Sequence, residues 1–224
     1  MNILMKKPTE YIKEAWKIYT TKKNFVFFAK IMAVLVIVTT TAGFLLSYFY
    51  PFQYPDLKFD YSDPVKVLGV ILLLLLSAIA GLWSEGTRNL SLIKMNSDEK
   101  ELFKLGFAKL WKFFTISLVI GFVIIGGLLL LVIPAVIFGV RYSFARFLVL
   151  DKNLGVKEAL KKSSLMVSGK FWKIFGRLIV FGLFSLSFSV LLTTIPYIGA
   201  FLVAFIAPLY TLPFYLLYKD LSIN

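Results

Sequence analysis

Residues 113–150 read FFTISLVIGFVIIGGLLLLVIPAVIFGVRYSFARFLVL, 38 residues with a proline near the centre and two arginines in the second half. A helix crosses the ~30 Å hydrocarbon core of a bilayer in ~20 residues at ~1.5 Å each. The stretch is too long for one crossing and long enough for two short ones. Pro134 falls where the turn is needed: its ring opposes continuation of a helix and fits the first turn of a new one. We read one helix over Phe113–Val132 and the next over Pro134–Leu150.

Working outward, four further apolar stretches cover Phe25–Tyr50, Val65–Trp83, Leu178–Ile195 and Pro196–Tyr218. Charge tests the count. Lysines and arginines crowd the leader, the segment from Arg88 to Lys112 and the segment from Lys152 to Arg177. The 51–64 loop instead has Lys58 against Asp56, Asp60 and Asp63. Basic segments stay on the cytoplasmic side, so an even number of crossings must separate the three. Residues 113–150 must go out and return, and six crossings satisfy every segment. The expected fold is all-α: a polytopic membrane protein of three helical hairpins in the inner (plasma) membrane, with both termini cytoplasmic. The first apolar run is far longer than the ~7–15 residues of a signal-peptide core and follows a polar lead, so it is expected to stay as an anchor.

Composition agrees. Of 224 residues, 59% are hydrophobic and the mean hydropathy is +0.83, against roughly 45–50% apolar residues in soluble domains. We expect a single membrane domain over residues 1–224. Cysteine and histidine are both absent, which removes the usual zinc, haem and iron–sulfur ligand sets and the Cys- and His-dependent nucleophilic mechanisms. No metal or cofactor is expected. The net charge of +13 sits beside hydrophobic spans rather than on a separable domain, which argues against nucleic acid as the partner.

The chain also echoes itself. Lys109-Leu110-Trp111-Lys112-Phe113-Phe114 recurs as Lys170-Phe171-Trp172-Lys173-Ile174-Phe175, and Ile133-Pro134 recurs as Ile195-Pro196. This suggests repeat units of approximately 1–90, 91–151 and 152–224, each an amphipathic helix, a basic-aromatic anchor and a hairpin. Thr9–Tyr19, Asp98–Trp111 (with Ser97 as cap) and Val156–Val167 carry the 3–4 spacing of surface-lying helices, lysines toward anionic lipid and aromatics in the interface.

The chemistry-bearing residues are few. Arg141 falls near the middle of its span, where an arginine costs at least ~2.5–3.5 kcal/mol, so it is a functional candidate by default. Arg146 lies five residues on, about 140° around the helix at ~100° per residue, and Tyr142 is its i, i+4 neighbour. Glu85, at the inner end of the second span, is the expected acidic partner of Arg141. The functional reading is a basic pocket for a phosphate or carboxylate; the plain alternative is snorkelling with an ion pair to Glu85 or Asp151. Lys30 reads as a snorkelling lysine. Asp56, Asp60 and Asp63 lack the pattern of a calcium loop and read as a solvated turn. Gly121, Gly126, Gly127, Ser185 and Ser189 offer small faces for helix packing.

The run Val140-Arg141-Tyr142-Ser143-Phe144-Ala145, followed by Gly155-Val156-Lys157-Glu158-Ala159-Leu160-Lys161-Lys162-Ser163 and Gly169-Lys170-Phe171-Trp172, resembles the six-helix membrane domain attached to some bacterial glycerophosphodiester phosphodiesterases and found in YciC-like proteins. The likeness covers roughly residues 109–220. It implies a polytopic membrane domain; the hydrolase domain of the fused members has no counterpart here, so no such activity follows. The favoured function is non-catalytic binding of anionic lipid headgroups, or of a protein partner or second copy, through the basic inner face and Arg141. The alternative is a transporter, channel or lipid translocator with a site near Arg141. A membrane enzyme would need an acid–base pair near the inner surface, for which only Glu85 and Asp151 qualify.

Overall fold

The computed structural model describes residues 5–49, 63–130, 132–196 and 198–222. Asp56, Asp60 and Lys58 of the acidic loop lie outside these residues. Among the described residues the fold is all-helical, and six helices are long and apolar enough to cross a membrane. The chain is a multi-pass membrane protein.

The first three elements are α1 (Pro8–Thr20), α2 (Lys22–Phe49) and α3 (Pro64–Ile93). Pro8 opens α1, and the Glu10 carboxylate accepts from the Lys7 N–H at 2.8 Å, satisfying an otherwise orphaned donor of the first turn. Asp63 caps α3 by accepting from Val65 N and Lys66 N, with Pro64 in the first helical position. At its other end the second span, expected to stop at Trp83, continues ten residues further to Ile93.

Next come α4 (Glu99–Ala108), α5 (Leu110–Leu130), α6 (Val132–Arg141) and α7 (Ala145–Asp151). Asp98, not Ser97, caps α4. Pro134 lies in the first turn of α6, as its missing N–H requires. A methyl group on Gly127 would come within 2.8 Å of Ala135 Cα and N, whereas one on Gly126 would meet nothing within 4 Å. The α5–α6 hairpin thus closes backbone against backbone at Gly127.

The last elements are α8 (Val156–Val167), α9 (Phe171–Thr193), α10 (Gly199–Phe205) and α11 (Ala207–Ser222). The α8 bounds are those the sequence indicates, fixed by Glu158 accepting from Gly155 N at 3.3 Å and by Gly169, whose φ of +73° is open to glycine at little cost. α9 starts seven residues before the apolar stretch does. Lys173 and Arg177 belong to its first turns, and Arg177 donates to the carbonyls of Met5 and Lys6.

Each pair of long segments is preceded by a short helix, so α1, α4, α8 and the ends of the long helices share one end of the bundle. The buried core gathers there: Tyr11, Phe28, Leu90, Leu102, Phe144, Leu148, Ala159 and Tyr218 are all buried. Two side-chain bonds lock this end, Tyr11 Oη to Asp220 Oδ2 at 2.8 Å and Tyr218 Oη to Asp151 Oδ2 at 2.7 Å. Burial, reinforced by the carboxylate, pushes the Tyr11 hydroxyl pKa well above its ordinary value. Away from this end the helices present apolar side chains outward, among them Leu68, Leu72, Leu75, Leu76 and Ile79 of α3, as lipid-facing surfaces do. Trp16, Trp111 and Trp172 are 52%, 73% and 77% exposed, the placement of interfacial anchors.

Gly127→Ala should lower the thermal unfolding midpoint of the detergent-purified protein by several degrees, the scale of ~1–3 kcal/mol for overpacking. Gly126→Ala should leave it unchanged within about one degree. Equal midpoints for the two variants would rule out the close approach.

Candidate functional site

The site is built on a broken helix. Between α6 and α7, residues 142–144 form a turn without proline or glycine. A break inside an apolar segment leaves backbone groups that lipid cannot satisfy. Ser163, fully buried on α8, meets the need from both directions: its hydroxyl donates to the Arg141 carbonyl at 2.7 Å and accepts from the Phe144 N–H at 3.2 Å. Ser143 Oγ donates to the Val140 carbonyl at 2.9 Å.

Beside this joint lies a groove of about 800 Å³ between α6, the end of α8 and the start of α9. Val132, Ile133, Val136 and Ile137 form one wall; Leu165, Val167, Phe171, Trp172 and Phe175 form the other. Arg141 lines the groove with Ser164 and Ser168. Its side chain is exposed and stands at the end of α6, not near the middle of an unbroken span as the sequence suggested. Among the described residues, no carboxylate lies within salt-bridge distance of its guanidinium and no group hydrogen-bonds to it.

The expected Glu85–Arg141 pairing is not the one formed. Glu85 Oε1 accepts from Arg146 Nη1 at 2.8 Å, and the Arg146 guanidinium also lies 5.9 Å from the Phe113 ring centroid. The reason is the break. Arg141 ends α6, whereas Arg146 belongs to α7, which packs against α3 and α5. Tyr142 stacks on Phe138, centroids 5.9 Å apart and planes 11° from parallel. Its hydroxyl makes no hydrogen bond to Arg146 among the described residues, and it does not line the groove. Of the four expected site residues, the fold joins Arg146 to Glu85 and leaves Arg141 alone in the groove.

Lys30 pairs with Glu99 at 3.1 Å, helix to helix, and its hydrogen bond holds the Glu99 carboxyl below the usual range. Lys109, lowered in pKa chiefly by burial and then by Lys94 and Lys112, donates to the Leu150 carbonyl at the end of α7. Sequence reasoning missed Ser163. A serine at helical spacing signals nothing by itself, and its partners are about twenty residues away in the chain.

The described residues hold no cluster of three or more acidic residues suited to a metal ion. No protein-family model, no curated protein and no solved structure matches this chain.

Ser163→Ala removes both partners of the joint and should cost about 1–3 kcal/mol, the desolvation of unsatisfied backbone groups. Ser164→Ala, one residue on, should cost under about 0.5 kcal/mol, the usual range for a substitution away from buried polar networks. Denaturant titration of the purified protein checks the difference, and equal costs would show that Ser163 holds nothing.

Proposed function

We propose that the protein is a non-catalytic membrane module that seats an anionic phospholipid in the groove between α6, α8 and α9. The observation that carries this reading is an unpaired guanidinium at the polar end of an otherwise apolar groove. An arginine without a counter-ion in a span costs at least ~2.5–3.5 kcal/mol, and a phosphodiester beside it recovers part of that through charge-assisted hydrogen bonds. The hydroxyls of Ser164 and Ser168, at the end of α8, are further donors in the same groove. An acyl chain would lie along Val132, Ile133, Val136 and Phe175, whose exposed carbons match it. Trp172 suits the headgroup level.

Orientation follows from charge. The short-helix end carries the lysines of α1, α4 and α8, and the positive-inside rule assigns that end and both termini to the cytoplasm of an inner membrane. The groove then opens to the inner leaflet, where anionic lipid supplies the matching charge. The resemblance to YciC-like membrane domains fits a polytopic lipid-facing role and adds no activity to it. One observation favours a transport reading: the α6–α7 break lies beside Arg141, and broken helices often border substrate sites.

Trp172 provides the test. In proteoliposomes, brominated phosphatidylglycerol should quench Trp172 more strongly than brominated phosphatidylcholine, the signal being isolated by subtracting a Trp172→Phe protein. Arg141→Gln should reduce this preference by about tenfold, the loss of one charge-assisted contact of ~1.5 kcal/mol. An unchanged preference in Arg141→Gln would sink the lipid site. Orientation has its own check, aided by the absence of native cysteine. Lys161→Cys should react with a membrane-impermeant maleimide only from the cytoplasmic side, and labelling from outside would reverse the topology.

A further inference from the structure

A second cavity, of about 280 Å³, lies between α2, α3 and α10 and has Glu85 in its wall. Met32, Leu35, Val36 and Ala204 form its apolar wall, and Ser84, Glu85 and Arg88 on α3, with Thr39 on α2, form its polar one. Two polar atoms facing this region are buried without a partner, Ser84 Oγ and Arg88 Nε. Among the described residues, no carboxylate lies within salt-bridge distance of Arg88. Glu85, one turn away on the same helix, is already held by Arg146 at 2.8 Å. The cluster therefore has two guanidinium charges against one carboxylate, an uncompensated positive charge in a low-dielectric setting. Among the described residues nothing hydrogen-bonds to the buried Arg88 Nε and Ser84 Oγ.

We infer that this cavity, bounded by Ser84, Arg88 and Ala204, is a binding site for a small monocarboxylate with a short aliphatic chain. Three features select that class. The planar fork of an arginine presents two parallel donors, which match the two oxygens of a carboxylate. The opposite wall is aliphatic, so a two- to four-carbon chain, about the size that such a cavity accommodates, replaces water there favourably. A single negative charge neutralises the cluster, whereas a dianion would overcharge it and face Glu85. The site is distinct from the lipid groove: the two share no lining residue.

Binding of radiolabelled butyrate to the full-length protein in proteoliposomes, at constant ionic strength, tests this. Saturable binding at one site per chain is expected, weakened at least about tenfold in Arg88→Gln and unchanged in Arg141→Gln, which disables only the groove. Arg146→Gln should weaken it as well without touching the cavity, because the released Glu85 then pairs with Arg88 at i, i+3 spacing. Should Arg88→Gln fail to fold, Ala204→Leu, which fills the cavity, should abolish binding in a protein that stays monodisperse. Absence of saturable binding, wild-type affinity in Arg88→Gln or Ala204→Leu, or displacement by chloride as effective as by unlabelled butyrate would overturn the assignment.

Discussion

Hydrocarbon offers no hydrogen bonds, so a helix that stops within an apolar segment must find partners for its freed backbone groups inside the protein. Here one hydroxyl does so. Ser163 reaches from α8 to the last carbonyl of α6 and to the N–H that precedes α7. Much else follows from that joint. It fixes α8 against the broken helix, sets the opening between α6 and α9 that becomes the groove, and lets α7 turn into the core while α6 faces outward.

The consequence is a division of labour between two arginines five residues apart. Had the helix continued, both would project from one straight rod about 140° apart, at ~100° per residue. With the break, Arg146 packs with α3 and meets Glu85 above the Phe113 ring, while Arg141 ends α6 at the groove with no counter-ion among the described residues. The buried end supports this arrangement. α7 is apolar on nearly every side, with Phe147, Leu148, Val149 and Leu150 all buried, and Tyr218 binds Asp151 at its last residue. The opposite part of the bundle has far less buried side-chain area and depends on lipid as its solvent.

Much of this fold is written plainly in the sequence. The central hairpin follows from a length that one crossing cannot absorb and from Pro134. The bounds of α8 follow from the 3–4 spacing of Val156–Val167. The break at 142–144 is not legible, because Tyr142, Ser143 and Phe144 carry no helix-breaking signal; a tertiary contact holds it. The end of α3 is hidden from the sequence for a related reason. Thr87, Asn89 and Ser91 look like the start of a polar loop, yet they are buried because α4 and α7 cover that face. Hydropathy registers a residue's chemistry and not which neighbour covers it. Arg88, counted as one more basic loop residue, is for that reason part of a helix inside the bundle.

Charge pairing then separates the cations that hold elements together from those left without a carboxylate. Lys30 has Glu99, Lys6 has Glu14 and Arg146 has Glu85; Arg177 satisfies carbonyls of the leader. Lys30 and Arg146 each neutralise a contact between helices, and Lys6 pairs locally with the first helix. Arg141 and Arg88 are different, because each lines an open volume and, among the described residues, no carboxylate lies within salt-bridge distance of either. Maintaining an unpaired guanidinium next to lipid is expensive, and simple stability would favour a leucine at either position. The two volumes beside them differ about threefold, 800 Å³ with long apolar walls against 280 Å³ with a short one, which is why the two proposed ligands differ in size.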